Sequence, residues 1–254
     1  MQMTDIQRHE LRHCVERKPA QVLFATACGP LLYGFPHQNR YFDLRSVHVD
    51  SGDALPRRGA MQETREWRES QGGSQVEWIS HEVGKFVRLL QVNNGSAYEQ
   101  LLSPHVVLET AALAELRELA RQMVSQQLFL HYRGFFHSQL KFFYHQREKH
   151  ARHLLYLYRV GLTGMHLMET GELVADLPML ASYHERATVM QLLRELESQG
   201  EVRNFKPFVK EVEALADRLE QVPNRKRLPE QVPNREAAEA WLDRTRRTFG
   251  SPRA

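Results

Sequence analysis

Apolar positions follow two different rhythms along this chain, and the change comes near Ser103-Pro104. Before it, short apolar runs alternate with turn-rich polar stretches. Gln21 to Ala27 (QVLFATA) is almost wholly apolar, the pattern of a strand buried on both faces. Cys28-Gly29-Pro30 interrupts that run, and Pro30 suits the opening turn of a short helix through Leu31-Leu32-Tyr33. Gly34 to Asn39 is turn chemistry, and Tyr41 to Val49 (YFDLRSVHV) predicts a second strand. Asp50 to Gly73, rich in Gly, Pro, Arg and Glu, reads as an irregular or partly mobile segment. Gln75 to Ile79 predicts a third strand, and Glu82 to Val92 a helix that Asn93-Asn94-Gly95 stops.

Beyond Pro104 the spacing becomes helical. Leu113, Leu116, Leu119, Ala120 and Met123 keep one stripe, and Lys149 to Met168 predicts a long apolar helix central to a second lobe. Shorter amphipathic stretches follow near 187–198, 206–220 and 235–247. The hexapeptide Glu220 to Arg225 recurs at Glu230 to Arg235, which reads as a local duplication within a loop. The basic tail (Arg244, Arg246, Arg247, Arg253) reads as a frayed end. The expected architecture is therefore α/β (α+β): a mixed-sheet lobe over 1–105 and an all-helical lobe over 106–254.

Composition narrows the classes. With 254 residues, 42% hydrophobic and 26% charged, the chain can bury sizeable cores and is not disordered. No apolar run approaches the roughly 20 residues that cross a bilayer. The start of the sequence is polar and then charged, without a signal-peptide pattern. Two cysteines, Cys14 and Cys28, make neither a disulfide scaffold nor a zinc cage. The expectation is a reduced cytoplasmic protein with no membrane partner. A net charge of +3 permits a nucleic-acid or nucleotide partner without requiring one, and 13 scattered histidines show no metal-ligand spacing.

The second predicted strand carries the first candidate chemistry. Side chains two apart share a face, so Tyr41, Asp43 and Arg45 point the same way, with Glu77 on a strand that could lie beside it. Carboxylates on adjacent strands, next to a Gly-containing turn and a helix start, suit nucleotidyl transfer. The turn cradles phosphate, and the carboxylates hold a divalent metal. The chain further reads Cys28-Gly29-Pro30-Leu31-Leu32-Tyr33-Gly34, Arg40-Tyr41-Phe42-Asp43-Leu44-Arg45, Glu77 ahead of Gly84-Lys85-Phe86, and Asn93 to Pro104 (NNGSAYEQLLSP). Tyr132-Arg133-Gly134-Phe135, Lys149-His150, Leu155-Tyr156-Leu157-Tyr158-Arg159, Thr163 to Glu172 (TGMHLMETGE) and Leu228-Pro229-Glu230 follow.

These motifs resemble the DNA polymerase beta superfamily of nucleotidyltransferases, in the branch associated with RNA-repair ligases. The resemblance covers most of the chain. It implies transfer of a nucleotide from a nucleoside triphosphate to a hydroxyl on an RNA end, with Mg²⁺ or Mn²⁺ and an RNA-repair ligase as possible partner. By position it implies Asp43 and Glu77 as catalytic and metal-holding residues. Gly29, Tyr33, Gly34, Arg45, Lys85, Lys149, Arg152 and Arg159 become nucleotide-binding.

Two positions depart from the family pattern. Pro30 stands where the family has a serine, and offers neither hydroxyl nor N–H to a phosphate. Tyr41 replaces the first carboxylate of the strand pair, and a neutral phenol is a poor Mg²⁺ ligand. Asp43 can therefore hold metal or pair with Arg45 or a cation of the second lobe, and Glu77 can serve a site or a solvated surface. Lys149, Arg152, Tyr156 and Arg159 form one stripe that faces either a ligand or solvent. The aromatic stretch from Tyr132 to Tyr144 is either core or a base-stacking surface. A second functional reading stays open: a degenerate member that binds nucleotide or RNA as a regulatory or scaffolding partner.

Overall fold

The computed structural model describes residues 3–18, 21–36, 41–50, 63–71, 73–200, 202 and 204–250. Its contacts group the chain into two compact units. One takes the described residues within Met1–Leu32, His37–Met123 and Val232–Ala254; the other takes Tyr33–Pro36 and Val124–Gln231. This grouping differs from a division at residue 105: helix α5 (Ala111–Gln122) packs on the sheet unit, and the C-terminal helix α11 (Arg235–Phe249) returns to it.

The first unit is built on a mixed five-stranded sheet in the order β3-β4-β2-β1-β5, from β1 (Gln21–Cys28), β2 (Tyr41–Val49), β3 (Thr64–Gln71), β4 (Ser74–Glu82) and β5 (Val106–Leu108). Strands β2 and β4 run parallel, and the other neighbours are antiparallel. Helix α1 (Asp5–Glu16) covers one face. It starts at a capping box in which Thr4 and Gln7 satisfy each other's backbone N–H. Its Leu11 and Val15 pack with Phe42, Leu44, Val76 and Trp78. Removing each such large side chain from water is worth about 1.5–3 kcal/mol. The indole N–H of Trp78 donates to Ser46 Oγ at 2.8 Å, so the core takes this ring without an orphaned donor.

Helices α3 (Val83–Gln91) and α4 (Gly95–Leu102) pack against the sheet, where Phe24 meets Phe86 edge-on at 5.7 Å. Asn93-Asn94 does end α3, but Asn94 also opens α4, its side chain accepting from Ala97 N. That is why an expected stop proved to be a start as well.

Three expectations change here. Residues 64–71 of the supposed irregular segment form β3; 51–62 and residue 72 lie outside the described residues. This strand lacks an apolar face because it is a sheet edge, where charged side chains are favoured over an apolar alternation. The basic tail is not frayed: Arg244 pairs with Glu115 and Arg246 with Glu82, both within helix α11, while Arg253 lies outside the described residues. The long helix begins after Lys149 instead of including it.

That helix, α7 (Ala151–Thr170), is the axis of the second unit. It is buried almost all round by α6 (Gln126–His145), α8 (Leu177–Tyr183), α9 (Ala187–Gln199) and α10 (Lys206–Gln221). It ends at Gly171 with φ 78°, a left-handed C-terminal cap. Both cysteines are free and buried. Among the described residues no helix is long and apolar enough to cross a membrane.

Candidate functional site

Parallel pairing of β2 with β4 sets Asp43 opposite Glu77. Directly paired residues of neighbouring strands share a face, so both carboxylates rise from the face opposite the Phe42–Trp78 core. Strand β3 adds Arg68 beside Glu77, and β1 places Cys28 opposite Asp43. The chain then turns sharply into helix α2 (Gly29–Leu32). Gly29 has φ 60°, and a Cβ there would stand 2.9 Å from Asp43 Cβ and 3.0 Å from Asp43 Oδ2. Only glycine lets the turn close against the aspartate without strain.

Each carboxylate is held by an arginine. Arg45 Nε lies 2.7 Å from Asp43 Oδ1, and Arg45 Nη2 donates to Oδ2 at 3.1 Å. Burial nevertheless pushes Asp43 above the usual aspartate range, with the Arg45 guanidinium opposing it and the Glu77 charge adding to it. Glu77 behaves in the opposite sense. Its Oε2 accepts from Tyr41 Oη at 2.5 Å, and its Oε1 accepts from Arg68 Nε at 3.2 Å and Nη2 at 2.9 Å. These donors hold Glu77 below the usual glutamate range, the tyrosine bond first. Burial and then the same bond push Tyr41 up to about 12. Burial also raises the Cys28 thiol, aided by the Asp43 charge, which disfavours its thiolate.

The chemistry of this donor set decides what metal it fits. Mg²⁺ binds through one or two carboxylates, completing its shell from water and substrate phosphate. Asp43 and Glu77 supply two carboxylates of that kind, with their oxygens engaged by Arg45, Tyr41 and Arg68. They do not fit a two-metal clamp, because the position for a further carboxylate is Tyr41, and among the described residues no cluster of three or more His, Cys, Asp or Glu is placed to hold a metal.

The remaining candidates fall in different places. Lys85, on α3, bonds Thr64 Oγ1 beside His81. Burial, then the Lys85 and Arg45 charges, hold His81 down at about 4. In the helical unit, Tyr33 stacks under the guanidinium of Arg159 at 4.0 Å, and Tyr33 and Phe35 both meet Tyr156 edge-on. Arg159 is only 3% exposed, so it is a packed side chain and not an open cation. Gly34, with φ 66°, carries the chain past Pro178, which a Cβ would meet at 2.7 Å. Arg152 is exposed on α7, and Lys149 lies over the rings of Phe143 and Tyr144 at 4.9 and 5.5 Å. The stripe of four is thus divided among different surroundings.

Sequence reasoning missed Arg68, Glu66 and His81. Once β3 is a strand, Glu66 and Arg68 share the site face by their pairing with Ile79 and Glu77, and His81 shares it by alternation along β4. The signal for Glu66 and Arg68 was Trp67 standing alone in the charged run Thr64 to Gln71, and that for His81 was its spacing of four from Glu77.

Known proteins bear on this chain as follows. The family model described as the RNA repair pathway DNA polymerase beta family matches residues 3–244. An uncharacterized protein of Methanocaldococcus jannaschii is 24% identical over 154 residues, covering 61% of this chain and 63% of that protein, so the chain spans less than two thirds of that relative's length. Among solved structures, a nucleotidyltransferase-like protein from Exiguobacterium sibiricum 255-15 is 12% identical. That match covers 97% of this chain and 81% of that one at a TM-score of 0.34, a likeness too low to carry an argument.

Proposed function

Because the chain belongs to the RNA repair pathway DNA polymerase beta family, a nucleotidyltransferase-like family, we propose that it transfers a nucleotide from a nucleoside triphosphate to a hydroxyl on an RNA end, with one divalent metal. The observation that carries this reading is the pair Asp43 and Glu77, in register on adjacent parallel strands with Gly29 against the aspartate.

Asp43 and Glu77 are the residues that would hold Mg²⁺ or Mn²⁺, which when bound neutralises charge developing on the triphosphate and the leaving pyrophosphate. The chain's own groups do the rest. Gly29 lets backbone approach a phosphate at the start of α2. Arg45 orients Asp43 through two contacts and remains a local positive charge. Glu77, kept ionised, accepts the proton of the attacking hydroxyl once Tyr41 gives up its bond. Lys85 adds positive charge at the far end of the same face. An RNA-repair ligase as partner belongs to this proposal.

A second reading is favoured by a specific observation. Tyr41 occupies a carboxylate position and caps Glu77, and Pro30 removes a phosphate donor. On that reading the chain binds nucleotide or RNA without turnover.

One experiment separates the two. The protein is incubated with each α-labelled nucleoside triphosphate, Mg²⁺ or Mn²⁺ and a pool of RNA ends, beside Asp43→Asn and the double variant Pro30→Ser/Tyr41→Asp. Transfer by the wild type that Asp43→Asn loses supports the enzyme. Transfer by the double variant alone supports the degenerate member. Transfer that Asp43→Asn leaves unchanged sinks the assignment of this site.

A further inference from the structure

Helix α6 divides its aromatic side chains between two faces. Phe129, Tyr132, Phe136 and Phe143 are buried, and Gly161 and Gly164 of α7 lie against three of them. Phe135 and Phe142 stand on the flank of that buried face, 40% and 51% exposed. Seven residues apart, they stand on one line about 10 Å apart along the helix axis. Gly134, Ser138, Lys141 and His145 form the next stripe, all exposed. At the end of the line the ring of Phe142 meets His153 edge-on at 5.5 Å.

Charge on this part of the chain is one-sided. Between residues 130 and 153 stand Arg133, Lys141, Arg147, Lys149 and Arg152, against Glu148 as the single acid. Arg133 pairs with Glu220 and Lys149 covers buried and half-exposed rings, but Lys141, Arg147 and Arg152 are exposed. Helix α10 adds Glu213 and Glu220, but these pair with Tyr144, His137 and Arg133 on the side of α6 away from Phe135 and Phe142. Flat apolar rings left in water beside Lys141, Arg147 and Arg152 therefore fit a ligand that is both planar and polyanionic. An acidic protein would satisfy the charge and leave the ring faces without a matching surface. A nucleic-acid strand satisfies both, through stacked bases and neutralised phosphates.

We propose that this face of α6 binds single-stranded RNA, with bases stacking on Phe135 and Phe142 and phosphates meeting Lys141, Arg147 and Arg152. The spacing of about 10 Å spans two or three nucleotides at roughly 3.4 Å or more per nucleotide of a strand. A duplex exposes ring faces only at its ends, so the surface selects unpaired strands. The inference rests on the reading that RNA is the acceptor, and names where that RNA is gripped.

The test measures fluorescence anisotropy of a fluorescein-labelled oligouridylate with the full chain, with Phe135→Ala, Phe142→Ala and their double variant, and with Lys141→Glu/Arg147→Glu. An RNA duplex and heparin serve as comparison ligands. Each alanine variant weakens the single strand by about tenfold, leaves heparin unchanged and keeps the wild-type unfolding temperature within a few degrees, since neither ring is in the core. The charge-reversed variant weakens both ligands and flattens the salt dependence. Phe142→Trp retains binding, and its added fluorescence is quenched by the oligomer. Single-strand binding by the double alanine variant within about twofold of wild type, or equal losses for RNA and heparin, overturns the surface. If nucleotide transfer to RNA persists in that case, the acceptor reading stands without it. A wild type that binds no RNA overturns both.

Discussion

Gly29 and Asp43 approach so closely that a single methyl group on the glycine would stand 2.9 Å from the aspartate Cβ. The contact ties the turn after β1 to the carboxylate on β2, so the residue next to Pro30 governs a side chain 14 positions away. The turn after β1 and the carboxylate on β2 are therefore set by one piece of packing.

Gly29→Ala is expected to destabilise the fold by about 2 kcal/mol or more, from the left-handed backbone and the clash together. Urea unfolding checks it. Asp43→Ala should recover part of that loss in the double variant, because it removes the Oδ2 and Cγ contacts at 3.0 and 3.4 Å while keeping the Cβ contact. Independent, additive losses would contradict the coupling.

Tyr41 makes alkaline stability testable. Its ionisation lies near 12 when folded, against an ordinary value of 10. A raised folded value means stability fully present below 10 and lost as pH rises through about 12. Tyr41→Phe should remove that part of the alkaline loss and let Glu77 rise toward its ordinary range. Spectrophotometric tyrosine titration and stability at pH 9 to 12 measure the first effect. Carboxyl titration by NMR measures the second.

His48 sets the acid side. Fully buried, it gives or takes a hydrogen bond with Ser80 Oγ at 2.8 Å, and burial, then the Arg65 charge, hold it down at about 4. A depressed folded value means stability present above 6.5 and lost as pH falls through about 4. The urea midpoint should therefore drop between pH 6.5 and 4, with a shallower slope in His48→Gln. Some slope remains from His81, which titrates in the same range. An unchanged slope would show that His48 is not neutral in the fold.

Arg246 anchors the C-terminal helix. It pairs with Glu82, which is 1% exposed and also accepts from Gly84 N at the start of α3. Arg246→Ala strands a buried carboxylate and is expected to cost about 3 kcal/mol. The replacement Glu82→Gln/Arg246→Met, which removes both charges, should cost less. Amide exchange across residues 235–249 reads the release of α11 directly.

Much of the fold was legible because it depends on local patterning. The apolar run of β1, the alternation of β2 and the helical stripes of α3, α5, α7, α9, α10 and α11 are each written in neighbouring residues. Strand β3 and helices α1, α4 and α8 were not, since short or charged elements derive their state from what they pack on. Asp43 and Arg45 could be placed on one face from spacing alone. Spacing could not pair Asp43 with Glu77 across strands, bring Arg68 from a charged edge to Glu77, or let Tyr41 close over it.

The same distinction runs through the helical unit. The aromatic run of α6 states how many rings there are, but only packing against α7 sorts Phe136 and Phe143 inward and leaves Phe135 and Phe142 in water. Arg159 likewise sits on a predicted basic stripe, yet the fold buries it over Tyr33. Residue identity thus determined the longer, patterned elements and which chemistries are open in principle, because propensity and periodicity act over a few residues. Which charges meet, which are buried and which face solvent was decided by the tertiary structure, because Coulomb interaction and desolvation depend on distances between residues far apart in the chain.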